Sequence, residues 1–131
     1  MLRILASFIM GLALMPAVQA KEINDIEVAD SIEVAAKTLT LNGAGVRSKF
    51  FLDLYIGALY LNAKSSDADT VIAADEAMTI RLYITSSLID GEKMSAATLD
   101  GFVKSTGGNL APIQKEVDSL ISAFRDAVED K

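Results

Sequence analysis

Residues 42–61 read NGAGVRSKFFLDLYIGALYL. The second part, Phe50 to Leu61, is apolar enough for either a strand or a buried helix, so the period has to decide. On a two-residue repeat Phe50, Leu52, Leu54, Ile56, Ala58 and Tyr60 share one side, which is apolar throughout. Phe51, Asp53, Tyr55, Gly57, Leu59 and Leu61 share the other, which is mixed. The aromatic content and the central Gly57 favour a strand. A strand with one dry face and one mixed face stands between a core and either solvent or a cleft. Ahead of it, Arg47-Ser48-Lys49 reads as a tight turn. Asn42-Gly43-Ala44-Gly45 reads as a bulge or a close backbone approach. It is not a phosphate loop: no Lys-Ser/Thr ending follows, and Ser48 occupies the third glycine position of G-x-G-x-x-G.

Working outward, Thr38 to Leu41 alternates polar and apolar like a half-buried strand. Lys21 to Glu33 is mixed and acidic and predicts a lead-in with a short strand. Ser66 to Ala74 predicts a short helix capped by Ser65 or Ser66, with Asp67 and Asp69 in its first turn. Thr79 to Thr85 is a strand with Ile80, Leu82 and Ile84 on one face and Arg81 and Tyr83 on the other. Asp90 to Ser105 is an amphipathic helix that Asp90 caps and Gly107-Gly108 ends. Leu110 to Asp130 is a second helix, with Pro112 near its start and Ile113, Val117, Leu120, Ile121, Phe124 and Val128 at helical spacing. Strands first and helices after predict an α+β domain, its helices packed on one face of an antiparallel sheet.

Composition narrows the chemistry. The 131 residues contain no Cys, His or Trp, and 12 Lys+Arg stand against 18 Asp+Glu. There is no disulfide, no thiolate nucleophile, no imidazole base or metal ligand, and hence no Ser-His-Asp triad. Neither a metal nor another cofactor is expected. A charge of −6 argues against nonspecific binding to nucleic acid or to an anionic membrane, and no charge run is long enough to reverse that locally. The first twenty residues read as an export signal. Arg3 begins it, Ile4 to Met15 is uncharged and apolar, Pro16 breaks the run, and Val18-Gln19-Ala20 suits a cut before Lys21. The apolar run of 15 residues to Val18 is short of the roughly 20 that span a bilayer. Residues 21–131 are then one exported, periplasmic or secreted domain with 11 basic and 18 acidic residues, a charge of −7.

Four side chains are candidates for a site. Arg47, beside the glycine-rich backbone, can grip a carboxylate or enolate oxygen, or simply sit solvated in a turn. Tyr55 and Tyr83, on the mixed faces of two strands, can donate to an anion or merely pack their rings. Arg81 shares the face of Tyr83 and has Asp53 or Glu76 as possible ion-pair partners.

Leu41-Asn42-Gly43-Ala44-Gly45-Val46-Arg47, followed by the strand ending Gly57-Ala58-Leu59-Tyr60-Leu61, resembles the chalcone isomerase superfamily, closest to its bacterial exported branch. Lys64-Ser65-Ser66-Asp67-Ala68-Asp69 and Ile80-Arg81-Leu82 fit the same branch, and the resemblance runs from about Thr38 to Phe102. It implies an open-faced β-sandwich: a sheet backed by helices, with a ligand cleft. Plant members close a chalcone into a flavanone, using the arginine of a Gly-Ala-Gly-x-Arg motif with Thr, Tyr and Asn partners. Other relatives bind fatty acids with an Arg and a Tyr. Arg47 matches the motif arginine. Tyr55 falls where the strand threonine stands, and Met94 and Gly101 fall where the helix Tyr and Asn stand. The family usually continues into further strands, so the expected sheet is incomplete at the C-terminus, as in a truncated fragment, with an open edge suited to a protein partner.

Three readings follow. The first is an exported, non-catalytic protein that binds a small amphipathic carboxylate such as a fatty acid through Arg47, Tyr55 and Tyr83. The second is a chalcone isomerase-type intramolecular lyase using Arg47 and Tyr55. The third is an interaction module without a small ligand.

Overall fold

A computed structural model describes residues 20–127. The expected export signal therefore lies outside the described residues except for Ala20. The described chain runs through strands β1 (Ala20–Ile23), β2 (Ile26–Ala29), β3 (Ser31–Val34), β4 (Lys37–Lys49) and β5 (Leu52–Leu61), helix α1 (Ala68–Ala73), strand β6 (Met78–Ile84), helix α2 (Gly91–Ser105), a 3-10 turn (Ala111–Ile113) and helix α3 (Gln114–Ala127). β1 and β2 form a two-stranded antiparallel sheet, and β3-β4-β5-β6 form a four-stranded antiparallel sheet in sequence order. The fold class is α+β, as the element order predicts.

Three two-residue turns build the hairpins. Asn24-Asp25, Ala35-Ala36 and Phe50-Phe51 all have positive φ at both positions, the backbone of a type I′ turn, which matches the right-handed twist of the strands it joins. The tight turn expected at Arg47-Ser48-Lys49 is thus displaced. Those residues finish β4, and the two phenylalanines assigned to the strand form the turn instead. The lead-in also holds more structure than expected: three strands in place of one. The reason is that Asn-Asp suits positive φ, so a short polar dipeptide turns the chain without glycine or proline to mark it. The glycine-rich stretch is strand throughout, and the ladder slips at Asn42, between the pairs Leu41–Tyr60 and Gly43–Leu59.

One face of the larger sheet is dry. Leu39, Leu41, Ile56, Ala58 and Tyr60 are buried there together with Val28 of β2. The β1–β2 hairpin lies over this face, with Ile23 and Ile26 against the cluster. The Tyr60 hydroxyl donates to the Ala29 carbonyl at 2.8 Å, and the Leu41 amide donates to the Asp30 carbonyl at 2.8 Å. The β1–β2 hairpin therefore covers this part of the core. No side chain of α2 or α3 belongs to the cluster.

α2 and α3 pack on each other. Asp90 caps α2 by accepting from the Lys93 amide at 2.8 Å, and this bond, with Lys93 nearby, holds its carboxyl below the usual range. The helix ends in a Schellman motif: Gly108 donates to the Val103 carbonyl at 2.8 Å, and Gly107 and Gly108 both have positive φ. Gly91 lets the two helices touch, because a Cβ there would lie 2.4 Å from the Arg125 carbonyl oxygen. One turn on, the Ser95 hydroxyl donates to the Ile121 carbonyl at 3.0 Å. α1 is capped by Asp67 rather than Ser65 or Ser66, since its carboxylate accepts from the Asp69 and Thr70 amides.

Candidate functional site

Strand register places the candidate residues. Across β4, β5 and β6, three rows share the face opposite the core: Arg47–Tyr55–Ile84, Gly45–Gly57–Leu82 and Gly43–Leu59–Ile80. The rows between them, Val46–Ile56–Tyr83 and Ala44–Ala58–Arg81, point to the core side. Side chains alternate across a sheet, and directly paired residues share a face. Arg47 and Tyr55 are thus immediate neighbours, and Tyr83 is on the other side of the sheet from both.

The three glycines leave the middle of this face without side chains. Asn42, Gly43, Ala44, Gly45, Gly57, Ala58, Leu59 and Ile80 line a shallow groove of about 300 Å³. Packing does not demand these glycines. A Cβ at Gly43 or Gly45 would meet nothing within 4 Å, one at Gly57 would make ordinary contact with Leu82 at 3.7 Å, and none of the three has positive φ. Glycine inside a strand weakens it and marks a bulge or a close approach by another group, and the slip at Asn42 adjoins Gly43. Apolar side chains flank the bare floor. Ile80 is 69% exposed, and Leu59, Leu82 and Ile84 are half-buried.

One row beyond the groove stand the exposed Arg47 and the half-buried Tyr55. Four residues at about 3.3 Å each separate Arg47 from Gly43, roughly 13 Å of floor. Among the described residues the ion pairs are Lys93–Asp90 and Lys104–Asp100, so none of their carboxylates pairs with Arg47. Asp53, close in sequence, is engaged elsewhere: its carboxylate accepts from the Ser48 hydroxyl at 2.6 Å and from the Asn24 side-chain amide at 2.8 Å. A guanidinium beside a phenol at the end of an apolar trough can hold a carboxylate or stabilise an oxyanion. It offers no general base.

The remaining candidates lie on the other face of the sheet or on α2. The Arg81 guanidinium lies 5.4 Å from the centre of the Tyr83 ring. Glu76 accepts from the Asn62 amide instead of pairing with Arg81. Tyr83 neighbours Tyr60, and burial, together with that neighbouring phenol, pushes the Tyr60 hydroxyl up to about 12. Met94 is buried in α2, and Gly101 is exposed on the same helix. Neither carries a hydroxyl or amide. The sequence alone does not show the part of Gly57 and Ile80 in the groove. The spacing Gly43, Gly45, Gly57 held a signal for the first of these, but only the register shows that Gly45 and Gly57 face each other.

Among the described residues no group of His, Cys, Asp and Glu could hold a metal ion, and no helix is long and apolar enough to cross a membrane. A family model described as chalcone isomerase-like matches residues 20–131. No curated protein and no solved structure matches the chain.

Proposed function

The chain belongs to the chalcone isomerase-like family, and from that premise we propose that it is an exported binding protein for a small amphipathic carboxylate such as a fatty acid. The alkyl chain lies along the floor of Gly43, Gly45 and Gly57, against Leu59 and Ile80. The carboxylate meets Arg47, and the Tyr55 hydroxyl donates to it. The observation that carries this reading is the continuous row order on one face, bare backbone leading to an Arg–Tyr pair. A groove open to one side covers about half of an alkyl chain, or ~0.4 kcal/mol per methylene from the ~0.8 of full burial. The charge-assisted bond adds about 2 kcal/mol. After the cost of immobilising the ligand, micromolar or weaker binding is expected.

Calorimetric titration of delipidated protein with dodecanoate tests it. Arg47→Ala is expected to weaken binding about tenfold to a hundredfold, the equivalent of one charge-assisted hydrogen bond. Gly45→Leu is expected to abolish binding by filling the floor while the protein stays folded. Equal affinity in wild type and both variants would sink the proposal. An intramolecular lyase is the weaker reading, because Tyr55, Met94 and Gly101 do not supply the Thr, Tyr and Asn groups that the isomerases combine with their arginine. A chalcone-cyclisation assay separates the two, and a rate no faster than buffer is expected.

A further inference from the structure

The turn between β4 and β5 is unlike the other two. All three turns hold both central residues at positive φ. The β1–β2 turn fills those positions with Asn24 and Asp25, which tolerate it, and the β3–β4 turn uses Ala35 and Ala36. The β4–β5 turn uses Phe50 and Phe51, at φ of 50° and 66°. Bulky residues are strained there, and strain of this kind gathers where the strained group has work to do. Neither ring compensates by packing. Phe50 is 82% exposed and Phe51 fully so, and Leu52 beside them is half exposed. The tip is also basic. The Lys49 ammonium lies 5.4 Å from the centre of the Phe50 ring, and Arg47 stands two residues back. Asp53, the nearest acid on the hairpin, keeps its charge while accepting from the neutral Asn24 and Ser48 side chains, so Arg47 and Lys49 leave the hairpin end net positive.

We propose that this tip docks the protein on a bilayer carrying anionic phospholipid, the two phenylalanines entering the headgroup region and Lys49 meeting the phosphates. The size of the feature favours a membrane over a protein. A stable protein interface covers about 800 Å² per partner, and a protruding pair of rings offers far less, whereas aromatic rings with basic flanks suit the lipid interface. The whole chain carries a net charge of −6, which opposes adsorption of the body to an anionic surface and confines contact to the tip, where Lys49 and Arg47 stand. With only two rings inserted, attachment is weak and reversible. The docking stands independently of any ligand in the groove.

Sedimentation with phosphatidylcholine–phosphatidylglycerol vesicles tests it, using the full chain stripped of lipid and leaving Arg47 untouched. The decisive variant is Phe50→Asn with Phe51→Gly, because Asn-Gly is the preferred type I′ pair. It is expected to raise the thermal midpoint while lowering the vesicle-bound fraction about tenfold or more, which excludes misfolding as the cause. Lys49→Gln and high salt are each expected to weaken binding, and pure phosphatidylcholine vesicles to bind less. The natural chain has no Trp, so Phe51→Trp provides a single fluorophore whose emission shifts to the blue on vesicle addition. Wild type that does not bind, a double variant that binds equally well, or an unshifted Trp would each overturn the proposal. So would light scattering that shows wild-type dimers dissociated by the double variant, since the tip would then join two copies of the chain.

Discussion

The two faces of the β3–β6 sheet are made from alternate residues of the same strands, yet they are finished differently. On one face Leu39, Ile56, Ala58 and Tyr60 are fully or almost fully buried beneath the β1–β2 hairpin. On the other, Gly43, Gly45 and Gly57 leave the backbone bare, and Ile80 stands in the open. The first face has its partner within the described chain, and its side chains answer to packing. The second carries glycine where a β-branched residue would fit and stabilise. Gly43 adjoins the ladder slip at Asn42, and on the proposed function the bare backbone leaves room for a bound alkyl chain. The contrast separates residues that hold the fold from residues available for binding.

Four substitutions test the contrast, from the largest expected effect to the smallest. Leu39→Ala opens a cavity in the covered face and is expected to cost about 3 kcal/mol in denaturant unfolding. A cost below about 1 kcal/mol would show that the hairpin does not close a real core. Tyr60→Phe keeps the ring and strands the Ala29 carbonyl, for an expected loss of about 1–2 kcal/mol. Tyr60 also predicts a pH dependence. Its folded value is raised from 10.0 to about 12 by burial and by Tyr83, so the unfolded chain releases the proton first. Its contribution is complete below about pH 10 and is lost as pH rises from there to about 12. Thermal melts across that window should show a steeper alkaline loss in wild type than in Tyr60→Phe.

The open face should behave in the opposite sense. Gly45→Val meets no neighbour and improves strand propensity, so a gain of about 0.5–1 kcal/mol is expected, together with loss of dodecanoate binding. A destabilised Gly45→Val would mean that the glycine serves the fold. Ile80→Ser, at an exposed site, is expected to change stability by less than about 0.5 kcal/mol. A larger loss would show that this face is covered in solution.

Much of this was legible in the chain. The two-residue period of Phe50 to Leu61 marked Ile56, Ala58 and Tyr60 as the dry side, and capping signals marked Asp90 and Gly107-Gly108. Arg47 and Tyr55 stood out as a cation and a phenol beside glycine-rich backbone. Other features were not legible, for identifiable reasons. Period alone continues through Phe50 and Phe51, because nothing in a run of apolar residues announces positive φ. The short strands of residues 20–34 are too brief for a periodic signal. Tyr83 looked equivalent to Tyr55 because each lies on the mixed face of its own strand. Which mixed face points which way depends on pairing.

By itself, then, the sequence determined the class of fold, the amphipathic elements, the family and the absence of cysteine and histidine chemistry, because these depend on composition and on local periodicity. Tertiary structure decided which residues meet. A slip between Arg47 and Ser48 sets the register that puts Arg47 beside Tyr55 and Gly45 beside Gly57, the slip at Asn42 ends it, and a shift of one residue would exchange the faces. Pairing is a property of two strands at once, and neither strand alone encodes it.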